Sequence, residues 1–476
     1  MHSLPQLLIM THQPLKRRFL IGAVVALFAL SARSAAADPA SQPPGSNRAV
    51  TRVFIQDAES ATLHWADLLA TTPPRLSTPQ TVAGFPQLDP QRQSLVQMAA
   101  AGGKVLVGVR DDEDGEFQSG WVLIDSGVEE EDHGDHSHWY YNSAPKVIAT
   151  QLDDAQGNPA HLYCYEDVLY LANDRIGGFT RLDPSAIPEG ADEAHIRSLA
   201  AFHAGGNGHI TLAVAGEIAF ATWMSREEAN ARRIDATRVS PAGTTETAYA
   251  FHANSGRLHG ATYAGGKVFF APAEGIDWID VAASVQAAGD TVVHHLDLGS
   301  EEDVAYRTGA FLNHGAQVLF LSGRGPHSFL GMIDTRREIP EIKRVVLDVH
   351  PASRASAPTA VNTRSFGAIV TVFHDHPQDV DAPNVASVIQ LDPNRDGDYS
   401  DAKVLKRIDV GPSRVEGHGG HHAMVADAAG RFALISNPGD SSVQVLSLVD
   451  LASQSAETLS FVPGHVVAIG GRGPIR

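Results

Sequence analysis

Residues 129–141 read EEEDHGDHSHWYY. Five carboxylates (Glu129, Glu130, Glu131, Asp132, Asp135) interleave with His133, His136 and His138. Imidazole nitrogen is a strong ligand for zinc and other transition metals, and neighbouring carboxylates draw a cation in. Three histidines at spacings of three and two, with Asp135 between them, can wrap one tetrahedral ion without a scaffold. Gly134 and the run of like charge oppose a helix, so 129–142 is expected to be a long mobile loop that captures a cation. Its grip should weaken as pH falls toward about 6, because the carboxylates favour protonated imidazole. The alternative is a solvated acidic loop.

Other histidines fall at repeating positions. His161, His209, His259, His422 and His465 each open a short apolar segment. His203 and His252 lie in the matching stretches FHAGGNGH and FHANSGRLH, His418 and His421 in GHGGHH, and His374, Asp375 and His376 in HDH. Imidazoles and a carboxylate converging on one point fit a divalent transition metal, zinc above all. The competing reading is that each histidine only bonds a neighbouring backbone. In DPNRDGDYSD, Asp392, Asn394, Asp396 and Asp398 follow the opening of a calcium loop, but Lys403 stands where its closing Glu belongs. Weak calcium binding or a plain acidic turn are the two readings there. Cys164, the single cysteine, sits in LYCYEDVLYL and reads as a small buried residue.

No G-x-S-x-G elbow or H-E-x-x-H helix occurs. A metal-dependent hydrolase of the lactonase kind, with an open coordination position and a base, remains an alternative. So does an interaction protein whose histidines are structural.

The elements that must position these side chains are short strands. LHGATYAGGKVFFAPAEGIDWIDV (258–281) and HHAMVADAAGRFALISNPGDSSVQVLSLVDL (421–451) share one pattern: histidine, strand, turn, strand, turn, strand. It recurs from 160 and 208, and more loosely from 104 and 316. A repeat of about fifty residues holding four strands is a β-propeller blade, so the fold class is all-β. First strands are expected near 95, 161, 209, 259, 308, 364, 422 and 464. That gives eight four-stranded blades, with seven as the alternative count. The last strand has no partners after it, so RVFIQD and TLHWADLL near the N-terminus should complete its blade and close the ring.

Lys16, Arg17 and Arg18 precede an apolar run from Phe19 to Leu30, then Ala35-Ala36-Ala37 precede Asp38. This is the pattern of a cleaved signal peptide over 1–37, by a general secretory or twin-arginine route, leaving 38–476 as one propeller domain in the periplasm. Four of the 36 basic residues and none of the 55 acidic ones fall in 1–37, which leaves a mature net charge of −23. Such a surface repels nucleic acid and anionic lipid. A monomer without membrane insertion is expected, and one cysteine excludes an internal disulfide.

An exported propeller carrying EDHGDHSHWYY resembles the periplasmic zinc metallochaperones encoded with zinc ABC importers. These are soluble β-propellers that hand zinc to the importer's solute-binding protein. The resemblance rests chiefly on His133, His136 and His138. It implies zinc as cargo rather than catalytic cofactor, no catalysis, and a solute-binding protein as partner. Copper is the variant cargo, although no Cys or Met cluster favours copper(I).

Overall fold

Second strands such as KVLVGVRD and VLYLAN carry unbroken apolar runs, VLVGV and VLYLA, as strands covered on both faces must. In the computed structural model, which describes residues 49–471 apart from 112–117, 135 and 285–290, these segments form eight antiparallel blade sheets, seven of four strands and one, joining the chain ends, of five. Each sheet is one blade, so the count is eight and not seven. The expected signal peptide and Asp135 lie outside the described residues.

Blade 1 joins the two ends of the chain. Its inner strand Pro463–Ile469 pairs antiparallel with Ala49–Asp57, in register Phe54↔Val467, and Thr62–Leu69 follows. The inner strands of blades 2 to 8 are Gln93–Ala101, Pro159–Tyr165, Leu212–Ala215, Ala261–Ala264, Leu312–His314, Arg354–Thr363 and Ala423–Ala426. The seventh begins ten residues before the expected 364, which makes Gly367–Asp375 the second strand of that blade.

Apolar side chains fill each seam between neighbouring blades. Tyr170, Ala172 and Phe179 of blade 3 pack on Leu212 and Ala219 of blade 4. Val53, Ile55 and Leu68 of blade 1 pack on Leu434 and Val445 of blade 8, so the last seam is sealed like the others. Phe54 is fully buried in the seam with blade 2, and truncating a side chain so placed costs about 3–5 kcal/mol. Among the described residues no helix is long and apolar enough to cross a membrane.

Tight turns join first to second strands on one face of the ring. Glu166 and Asp167 make one with φ of 50° and 61°, the left-handed pair that a two-residue hairpin needs. The link from third to fourth strand emerges on the same face, and in blade 2 that link is the histidine segment. It is not the expected mobile loop. Val128–Asp132 and Ser137–Tyr141 pair as an antiparallel ribbon, with Glu130 opposite Trp139 and Glu131 opposite His138. The Asp132 carboxylate accepts the Gly134 N–H at 2.7 Å, and the His133 N–H reaches the His136 carbonyl at 2.9 Å. Tyr140 donates to Glu131 and Asn142 to Glu129, each at 2.8 Å, which offsets the repulsion along the acidic strand.

The root of this ribbon is pinned from blade 1. Buried Arg52 donates to the carbonyls of Ser126 and Ser143 at 2.7 and 2.5 Å, and its Nε bonds Asp67 at 2.8 Å. Its guanidinium lies 4.5 Å from the Trp65 ring centre, and Tyr141 donates to the Val50 carbonyl at 2.8 Å.

Candidate metal centre

Two histidine trios stand at opposite ends of the central channel. The first is the ribbon tip. The rings of His133, His136 and His138 have centroids 5.0 to 5.2 Å apart, and the Nε2 atoms of His136 and His138 are 3.1 Å apart. His133 Nε2 lies 3.6 Å from a Glu131 oxygen. The other side of the ribbon, with Val128, Glu130, Asp132 and Trp139, roofs a cavity of about 780 Å³. That cavity is also lined by Gly102, Asp167, Ala428 and Gly470, at the ends of the inner strands of blades 2, 3, 8 and 1. The ribbon therefore covers the far mouth of the channel.

The second trio sits where inner strands begin. His161 belongs to the inner strand of blade 3, and His209 and His259 directly precede those of blades 4 and 5. His161 and His209 meet Nε2 to Nε2 at 2.9 Å, with ring centroids 4.6 Å apart; His259 lies 4.8 Å from His209 and 6.1 Å from His161. Each ring is held from behind. Asp174 Oδ2 takes the His209 Nδ1–H at 3.2 Å, the Gly309 carbonyl takes that of His259 at 3.1 Å, and the Gln97 amide lies 3.5 Å from His161 Nδ1. Asp174 also receives the Ile210 N–H at 3.0 Å and faces Arg110 at 3.5 Å.

These partners fix the tautomers. With Nδ1 protonated, His209 and His259 keep their Nε2 lone pairs, the state that binds a metal. His161 Nε2–H then donates to His209, so one proton sits between two nitrogens that a cation would bridge. Burial, with His209 beside it, pushes His161 down to about 3, and burial lowers His259 too. His161 and His259 are thereby biased toward the neutral ring. Among the described residues no group of three or more His, Cys, Asp or Glu side chains is placed to hold a metal ion. Zinc–nitrogen bonds of about 2.0–2.1 Å place tetrahedral nitrogens about 3.3 Å apart, so the 2.9 Å pair has only to open slightly.

The remaining sequence candidates do not join either trio. His422 is buried with Nδ1 2.5 Å from Asp375 and Nε2 2.8 Å from the Gly411 carbonyl. A ring donating from both nitrogens has no lone pair for a metal. His421 Nδ1 bonds Asp375 at 2.9 Å. Burial alone would raise the Asp375 carboxyl, but the bonds from His421 and His422 hold it well below the usual range. His374 turns into blade 7, where its Nε2 lies 2.9 Å from Ser387, and burial followed by Arg407 pushes it down to about 4. His376 bonds the neighbouring Pro377 carbonyl at 2.9 Å through Nδ1, and its Nε2 is buried without a partner. His418 is exposed in the turn between Glu416 and Gly419.

His203 and His252, expected beside the mouth, lie instead on outer strands. His203 is buried 5.2 Å from the Phe179 ring, and His252 bonds the Ala229 carbonyl. In the acidic turn, Asp392, Asn394, Asp396 and Asp398 accept the loop's own N–H groups, and the Lys343 ammonium pairs Asp398. The turn is thus internally satisfied. Cys164 is exposed rather than buried, because its strand is the innermost one of blade 3. Asp174 was not among the sequence candidates. Asp174 directly follows a second strand and Asp375 ends one, each before the next blade's histidine, a correspondence that the sequence repeat does not by itself single out.

No family model matches the chain, and no curated relative does. Solved structures do match. The crystal structure of AztD from Citrobacter koseri is 17% identical with a TM-score of 0.61, over 90% of this chain and all (100%) of that one. The apo form of the same protein gives 16% and 0.60 over the same shares, 90% and 100%. The dihydro-heme d1 dehydrogenase NirN, in complex with DHE, is 12% identical with a TM-score of 0.53, over 90% of this chain and 77% of that one. At these identities the likeness is one of fold.

Proposed function

We propose that the protein is a zinc carrier of the periplasm, which holds zinc as cargo at His161, His209 and His259 and exchanges it with the solute-binding protein of a zinc ABC importer. The observation that carries the reading is the second trio. Three imidazoles converge, with the Nε2 lone pairs of His209 and His259 preserved by Asp174 and Gly309, and burial lowers the competition of His161 and His259 for protons. The resemblance of EDHGDHSHWYY to the zinc metallochaperones and the ring shared with AztD point the same way.

The exposed trio serves exchange. The seven-residue inner strand of blade 3 separates the two mouths by on the order of 20 Å, so one ion cannot be shared by both trios. His133, His136 and His138 project from the fold on a pinned ribbon, where a partner's ligands can replace them one at a time. The carboxylates of the ribbon and of the −19 chain raise the local cation concentration. Mixing the zinc-loaded mature protein with the metal-free solute-binding protein, with a competing chelator present, tests delivery. Zinc should reach the partner faster than it reaches the chelator. Transfer only at the rate of free dissociation would overturn delivery while leaving binding intact.

A further inference from the structure

The chain carries 55 acidic and 36 basic residues, yet two arginines without a carboxylate partner stand beside the trio mouth. Arg257 lies two residues before His259, and Arg307 lies two residues before Gly309, whose carbonyl orients the His259 ring. The Arg307 guanidinium reaches from the entry of blade 6 to that of blade 5, where its Nη2 donates to the Arg257 carbonyl at 3.2 Å. Among the described residues no carboxylate pairs with either guanidinium. Burial lowers the proton affinity of Arg307, the like charge of Arg257 lowers it further, and the Arg307 charge is felt at His259 as well. Arg257 also holds a φ of 58°, a left-handed conformation in which Gly or Asn would sit with less strain. On the other side of the trio, Arg110 is already matched by Asp174 at 3.5 Å. Two cations held together without a counter-charge, beside imidazoles that can ligate a metal, make a place for an anion.

We propose that Arg257 and Arg307 form an anion subsite at the trio mouth, which takes a small organic carboxylate that also fills the open position on a metal held by His161, His209 and His259. This subsite rests on the carrier reading for the trio itself and adds the co-ligand. Neutral imidazoles contribute no charge to a dication, and a tetrahedral ion with three of them has one position left over. A carboxylate offers one oxygen to that position and the other to a planar guanidinium fork. It thus offsets the charge of the metal and that of the arginines together, where a water molecule would offset neither.

Titration with Co²⁺, followed by its ligand-field absorption, tests the subsite in the mature protein with His133, His136 and His138 replaced by Gln. It is run in perchlorate and then in succinate of the same ionic strength. Succinate should shift the cobalt spectrum saturably and tighten Co²⁺ by about tenfold. In the R257Q/R307Q variant, Co²⁺ should bind in perchlorate at least as tightly as before, because two repelling charges are gone, and succinate should tighten it by less than about threefold. A cobalt site indifferent to succinate, or equally responsive in R257Q/R307Q, would overturn the subsite and leave the carrier reading standing. Absence of any Co²⁺ that H209Q removes would sink the carrier reading, and the subsite with it. If R307Q disturbs the fold, R257Q by itself decides, since among the described residues the exposed Arg257 guanidinium makes no hydrogen bond to another element.

Discussion

Two sets of three histidines, made of the same side chain, differ in everything that surrounds them. At the ribbon tip the imidazoles touch one another and water, with carboxylates along the same strands. At the opposite mouth the rings are packed among backbones, and each is aimed by a fixed group: Gln97, Asp174 or Gly309. Exposure gives access and speed, while burial with an orienting partner gives retention. On the proposed carrier reading, the two ends of one channel would divide retention from exchange.

That contrast breaks most readily at the half-buried trio of His161, His209 and His259. Replacing His161, His209 and His259 together by Gln should weaken the tightest zinc site by at least about 1,000-fold, read by chelator competition, and leave the ribbon's binding in place. Replacing Asp174 by Asn should weaken the same site by about 10- to 100-fold, because the ring stays but its tautomer and aim are lost. Replacing His133, His136 and His138 by Gln should slow zinc transfer to the partner by roughly tenfold in stopped-flow mixing, with tight affinity unchanged. The smallest effect is on stability. Burial pushes His161 to about 3 and His203 and His374 to about 4. An unfolded histidine titrates near about 6.5, so below that pH the unfolded chain takes up protons that the folded one refuses. Metal-free stability should therefore be fullest above about 6.5 and decline toward pH 4, with a melting temperature on the order of 5 °C lower at pH 5 than at pH 7.

The blades were legible because their middle strands are buried on both faces. VLVGV, VLYLA and VLFL announce themselves by composition alone. Inner strands border a channel and need not be apolar. RASAPTAVNT was passed over for that reason, which shifted the start of blade 7. Histidines 209 and 259 could be placed from the repeat, since each opens an inner strand. The orienting Asp174 could not be singled out from them, because many blade turns carry an aspartate and only the fold shows which one meets a ring. The ribbon misled for a different reason. Five carboxylates look hostile to a strand, but the pairs Glu130–Trp139 and Glu131–His138, the bonds from Tyr140 and Asn142, and the Arg52 clamp at the root outweigh their repulsion. None of those contacts is local in sequence except across the turn. His422 shows the opposite error: its position in the repeat is that of a mouth residue, yet Asp375 and the Gly411 carbonyl claim both of its nitrogens.

The measurement that bears most directly on the division between a retaining site and an exchanging one is a competitive zinc titration, with copper and calcium alongside. It should be run on the chelator-stripped mature protein and on its H133Q/H136Q/H138Q variant. Both proteins should hold one tight zinc of equal affinity, with the variant lacking only the weaker ribbon equivalent. Absence of tight zinc in both proteins, or its loss together with the ribbon histidines, would contradict the assignment of the retaining site to His161, His209 and His259.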